Sequence, residues 1–120
     1  MYIDESTLFR YIRNTWLFYQ AEDSYYTGNL ETISVFKGIK DGKHFYKVQA
    51  LFLEGRKKNN VQFNVSHTGV ILSTNCSCKS RKNEGCIHLV AACKAVNELQ
   101  PDTFPFRINY REYLEEKERE

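Results

Sequence analysis

Four residues of this 120-residue chain have the types and the spacing to hold a metal ion. They are Cys76, Cys78, Cys86 and His88, read as Cys-Ser-Cys, seven intervening residues, then Cys-Ile-His. Each half offers two soft or borderline donors one residue apart. Zinc takes four such donors tetrahedrally, and three Cys with one His is a common structural set. The run between the halves, Lys79-Ser80-Arg81-Lys82-Asn83-Glu84-Gly85, has no apolar residue with which to fold on itself. A metal must hold it, and its cations offset the charge of three thiolates.

Other readings of the cysteines exist. They could be ordinary reduced thiols. A Cys76–Cys78 disulfide would close a very small, strained ring. Iron–sulfur ligation suits the cysteines but not the histidine. A catalytic zinc would keep one position open for water, whereas four good ligands predict a closed structural site holding one Zn2+. Cys93 lies about 10 Å along the helix axis from Cys86, beyond reach of the same ion. It shares an apolar stripe with Leu89 and Val96, which predicts a core thiol. His44 falls in a strand pattern and His67 in a turn, neither with a ligand-spaced partner.

The ligands need elements to position them. The spacing of Leu8, Ile12, Trp16 and Tyr19 predicts one helix over residues 4–22, capped by Asp4 or Ser6. From 30 to 74 the period changes to two. Asp41-Gly42 separates two alternating runs, a strong hairpin signal. Tyr46, Val48, Ala50 and Phe52 share one face, with Phe45, Lys47, Gln49 and Leu51 opposite. A polar loop at 54–60, a run Val61-Phe63-Val65 and a turn at Ser66–Gly69 complete an antiparallel sheet of about four strands. A second helix follows over 87–100, opened by Cys86 and His88 and ended by Pro101. A thiolate at that helix start gains from the helix dipole. Phe104 to Ile108 reads as an extended apolar strap, and Arg111 to Glu120 as a charged stretch without an apolar stripe. The expected fold is α+β, in a single domain over 1–106 with a charged tail or linker at 107–120.

Hydrophobic residues make up 42% and aromatics 14% of the chain, which excludes a disordered segment. No apolar run approaches the roughly 20 residues of a membrane helix, and the N-terminus lacks a secretory pattern. Cytoplasmic location is therefore expected, at the nucleoid if the cell is bacterial. Net charge is +2, but residues 37–94 carry eleven Lys and Arg against three acids. The last fourteen residues reverse the sign, with four bases and five acids. A basic middle suits an anionic partner.

The motif Cys76-Ser77-Cys78 with Cys86-Ile87-His88, preceded by strands and followed by Leu89-Val90-Ala91-Ala92, resembles a SWIM-type zinc finger, here spanning about 61–100. The resemblance implies that Cys76, Cys78, Cys86 and His88 are the four zinc ligands. Family members often have Lys before the His, where this chain has Ile87, which is not a ligand position. A broader likeness, from Tyr25-Tyr26-Thr27-Gly28-Asn29-Leu30 through Gly38 to Tyr46-Lys47-Val48, resembles the N-terminal region of bacterial Swi/Snf-type helicases. There the finger precedes the ATPase. The family, found also in transposases and regulators, implies a DNA-binding or protein-interaction module.

Two functions follow as expectations. The first is weak, phosphate-mediated DNA binding through Arg56, Lys57 and Lys58 on one loop and Lys79, Arg81 and Lys82 on the zinc loop. Tyr and Phe mostly fall at core periods, so no stacking platform is expected. The second is protein docking through the 104–108 strap and the oppositely charged tail. The chain has no Gly-rich phosphate loop, no helicase acidic motif and no nucleophile–base pair. No catalytic residue and no small-molecule substrate are expected.

Overall fold

The alternation between residues 30 and 74 forms a strand meander. In a computed structural model that describes residues 1–21, 23–78 and 86–119 (23–25 by backbone alone), β1 (Leu30–Lys40), β2 (Lys43–Glu54), β3 (Lys57–Ser66) and β4 (Ile71–Cys76) follow one another antiparallel. Asp41 and Gly42 turn the first hairpin with φ of 53° and 75°, the left-handed pair that matches strand twist. The expected polar loop at 54–60 is instead a tight turn at Gly55-Arg56. Lys57 and Lys58 already belong to β3, paired with Glu54 and Leu53.

The sheet has five strands, in the order β4-β3-β2-β1-β5. The fifth, β5 (Phe106–Asn109), comes from the expected strap and pairs antiparallel with β1 from Thr32 to Val35. The class matches the α+β expectation; the additional strand arises because β1 left an edge that only a distant segment could cover. The chain then continues into helix α4 (Tyr110–Glu118), whose first residue, Tyr110, is fully buried. Residues 107–114 thus belong to the folded body, where a tail had been expected from 107. Tyr110, Tyr113 and Leu114 supply its apolar contacts, a group too short to make one long stripe.

The single N-terminal helix expected over 4–22 is broken. A 3-10 turn at Glu5–Arg10 is followed by the short helix α1 (Trp16–Gln20), and α2 covers Asp23–Asn29. The interruption has a local cause: the Asn14 side chain accepts the Trp16 N–H, competing with the helical ladder. Only Leu8 and Ile12 of the expected stripe are buried, while Trp16 and Tyr19 are 61% and 65% exposed.

Helix α3 (Ile87–Leu99) is the centre of the packing. It is buried nearly all round, with β3 and β4 on one side and the 3-10 turn, α1 and α2 on the other. A helix covered on several sides must be apolar beyond one stripe, and Ala91, Ala92 and Ala95 let its neighbours approach closely. The sheet residues buried beneath the helices are Ile33, Val35, Val48, Ala50, Val61 and Phe63, alternate positions of three adjacent strands, with α3 over β3, α2 over β1 and β2, and α4 over β1. The N-terminus is tied to the end of α3. Asn97 donates to the Ile3 carbonyl and accepts the Ile3 N–H, and the Met1 ammonium donates to the Pro101 carbonyl. Asp4 N–H reaches the Gly69 carbonyl; a side chain at Gly69, with φ +94°, would meet the Tyr2 carbonyl oxygen at 2.6 Å.

Candidate metal centre

The four sequence-predicted ligands come from three places in the fold. Cys76 is the last residue of β4 and Cys78 lies just beyond it. Cys86 is the N-cap of α3, and His88 is its second residue. The sheet fixes the first half directly, because Cys76 pairs with Val61 on β3. Ladder-like bonding continues one residue further: Ser77 N–H donates to the Asn60 carbonyl, and Asn60 N–H donates to Ser77 Oγ, both at 2.9 Å. The residue between the first two cysteines is therefore a clamp that holds them against β3.

The three sulfurs form a nearly equilateral triangle with edges of 3.3, 3.2 and 3.2 Å. His88 Nδ1 caps it, 3.3 Å from Cys86 Sγ and 3.7 Å from Cys76 Sγ. All four donor atoms lie within 4.8 Å of one another. Zinc–sulfur bonds of about 2.3 Å in a tetrahedron place sulfurs about 3.8 Å apart, so the cluster has the right shape and needs only a slight expansion. Among the described residues, this is the group that could hold one metal ion.

Charge among the four donors is unevenly shared. A hydrogen bond from the Cys86 thiol, above all, holds Cys76 far below the usual thiol range, at about 4. The same bond to Cys76, together with burial, pushes Cys86 up. Burial pulls His88 down, but its bonds to Cys76 and Glu54 outweigh it and raise the imidazole to about 9. Thiols and imidazole thus compete for protons around one point. A divalent cation satisfies all four donors at once and displaces those protons.

The spacing of the cysteines did not reveal Glu54. This residue ends β2, and its Oε1 bonds His88 Nε2, the nitrogen that faces away from the sulfurs. A carboxylate on the far nitrogen fixes the tautomer that leaves Nδ1 free to ligate and strengthens the ring as a donor. Phe52, two residues earlier on the same face and fully buried, packs its ring 5.1 Å from the imidazole. An acidic residue directly before the Gly55-Arg56 turn is a weak sequence signal. It gains meaning only from the register that brings the end of β2 beside α3.

Cys93 stands apart as expected. It is fully buried on α3, and burial pushes its thiol well above the ordinary range. His44 and His67 are exposed. Of the residues expected to meet phosphate, Arg56 lies in the β2–β3 turn and Lys57 and Lys58 open β3, all exposed. Lys79, Arg81 and Lys82 lie outside the described residues. Among the described residues, no helix is long and apolar enough to cross a membrane. Comparison of the chain with known protein families, with curated proteins and with solved structures finds no match.

Proposed function

We propose that the chain is a non-catalytic module built around one structural Zn2+ and that it binds nucleic acid, as the SWIM-type resemblance implies. The observation that carries the metal reading is the closed Cys3His set, with the remaining nitrogen of His88 already engaged by Glu54. Three sulfurs and one nitrogen suit zinc, and four protein ligands leave no position for substrate or water. Cys76, Cys78, Cys86 and His88 would hold the ion, and its role would be to pin the start of α3 to the end of β4. Support for an anionic partner comes from the basic stretch 37–94, with Arg56, Lys57 and Lys58 exposed and the zinc-loop bases Lys79, Arg81 and Lys82 nearby in sequence. A place before the motor of a Swi/Snf-type helicase, in the cytoplasm, rests on the sequence resemblance.

Metal analysis with X-ray absorption tests this reading. One zinc per chain in a shell of three sulfurs and one nitrogen is the expected result. Protein made with ample zinc that carries none would overturn it. Binding should be weak, on the order of 10⁻⁴ to 10⁻⁶ M near physiological salt, and should fall steeply as salt rises.

A protein-docking reading has one specific observation in its favour. Phe9, Trp16 and Tyr19 are each more than half exposed around α1, with Phe9 stacked on Phe18 at 5.0 Å and Trp16 beside Tyr19 at 5.8 Å. The 104–108 strap no longer supports docking, since its second half is sheet.

A further inference from the structure

The sheet has two unlike faces. Val35, Val48 and Phe63 point at the helical side, where α3 packs on β3 while α2 and α4 cover β1 and meet α3 at Glu98, which accepts from Tyr26 and Tyr110. The alternate residues form an opposite face over which no described helix lies. Strand register places Lys40, Lys43, Lys47, Lys58 and Arg107 there, five exposed cations drawn from four strands. Among the described residues that the register assigns to this face, none is acidic. Among the described residues these five cations form no ion pair, unlike Arg111, which pairs with Glu31 beside α4.

The cations surround groups suited to bases rather than to phosphate. An open groove of about 450 Å³ crosses the face, lined by Thr32, Ser34, Gln49, Gln62, Arg107 and Asn109 among others. Amides and hydroxyls both donate and accept, as base edges require. Two half-buried rings lie on the same face, beyond the Ser34–Gln49 end of the groove. Phe36 sits beneath the Arg107 guanidinium at 6.0 Å. Phe45 lies across Gly38, where an added side-chain carbon would come within 2.5 Å of the ring. As diagonal neighbours on adjacent strands, these two residues stand about 7–8 Å apart.

We propose that this open face binds single-stranded nucleic acid, an inference that rests on the nucleic-acid reading above and gives it a different surface. Lys47 and Arg107 meet phosphates, Phe36 and Phe45 stack on unpaired bases, and Gln49 and Gln62 reach base edges. A duplex is disfavoured, because its bases are stacked inside and a broad sheet presents no helix or ribbon to enter a groove. The zinc corner supports the same surface. Asn60, which lines the groove, is held by both hydrogen bonds to Ser77, so the metal site and the binding face share one strand end.

The test is fluorescence anisotropy of the zinc-loaded chain with labelled oligo-dT and oligo-rU of about twelve nucleotides, and with a duplex of equal length. Either single strand should bind at least about tenfold more tightly than the duplex. Lys47→Glu combined with Arg107→Glu, both exposed and therefore compatible with folding, should weaken single-strand binding by about tenfold or more and flatten the salt slope by about 1.4, about 0.7 for each lost contact. Phe36→Leu and Phe45→Leu keep an apolar side chain without a ring and should each lose roughly fivefold or more. Single-strand binding unchanged by the charge reversals overturns this surface. If Arg56→Ala with Lys57→Ala then abolishes binding, the nucleic-acid reading stands and the turn carries it. No binding of any probe at low salt overturns both.

Discussion

Helix α3 is held at its two ends by different physics. At its start, Cys86 and His88 join Cys76 and Cys78 in a cluster that could hold one ion from outside the chain. At its end, Asn97 and Pro101 tie the N-terminal segment through ordinary hydrogen bonds beside the buried Ile3 and Leu8. With the proposed zinc in place the first joint would be all-or-none, because three ligands of four hold that ion poorly. The second is a sum of small terms, each removable without the rest. Stability here should therefore be regional: metal chemistry governs one corner, and apolar burial governs the body.

The largest expected effect is at the metal. Cys78→Ser should abolish stoichiometric zinc and speed amide hydrogen exchange at residues 74–78 and 86–90, while residues 1–12 and 91–97 keep their protection. Cys93→Ala should retain full zinc and lower stability by about 1 kcal/mol. Uniform loss of protection after Cys78→Ser would break the comparison, showing one cooperative unit instead of two joints.

Phe52→Ala is next, and it sharpens the contrast because the ring touches both regimes. It is fully buried in the sheet core and packs on His88. We expect about 3–5 kcal/mol of destabilisation in denaturant melts together with weaker zinc retention. A loss of stability with unchanged zinc affinity would separate the two functions of that ring. Glu54→Ala, which leaves the core intact, should weaken zinc by about 10- to 100-fold in chelator competition.

Asn97→Ala tests the far joint alone. It removes both bonds to the Ile3 backbone and should cost about 1–3 kcal/mol with zinc unaffected. The smallest effect is acidic. Asp4 accepts from Ser6 Oγ and, less strongly, Ser6 N–H, which hold its carboxyl below the usual range. A lowered carboxyl stabilises the fold above its ordinary pKa near 3.8 and loses that contribution as pH falls through the held-down value. Asp4→Ala should therefore lower the urea midpoint slightly at pH 7 and make no difference at a pH well below the held-down value; an equal loss at both would place the effect elsewhere.

Local features are legible from neighbouring residues alone. Two donor pairs at one-residue spacing fixed which side chains could ligate. Asp41-Gly42 fixed a hairpin, and period-two alternation fixed which side chains of β2 share a face. Pro101 fixed the end of α3. Each of these is decided within a few residues, by backbone sterics or by the reach of neighbouring side chains. Tertiary structure decided what depends on distant partners. It split the N-terminal helix, drew Phe106–Asn109 onto the edge of β1 and buried Tyr110 where charge had suggested a tail. It also set Glu54 behind His88, thirty-four residues away in sequence. The uncharged-by-acid face of the sheet belongs to the same category. Lys47 and Arg107 are sixty residues apart, and only strand register puts them on one surface. Composition records how many cations a chain has; pairing decides which of them act together.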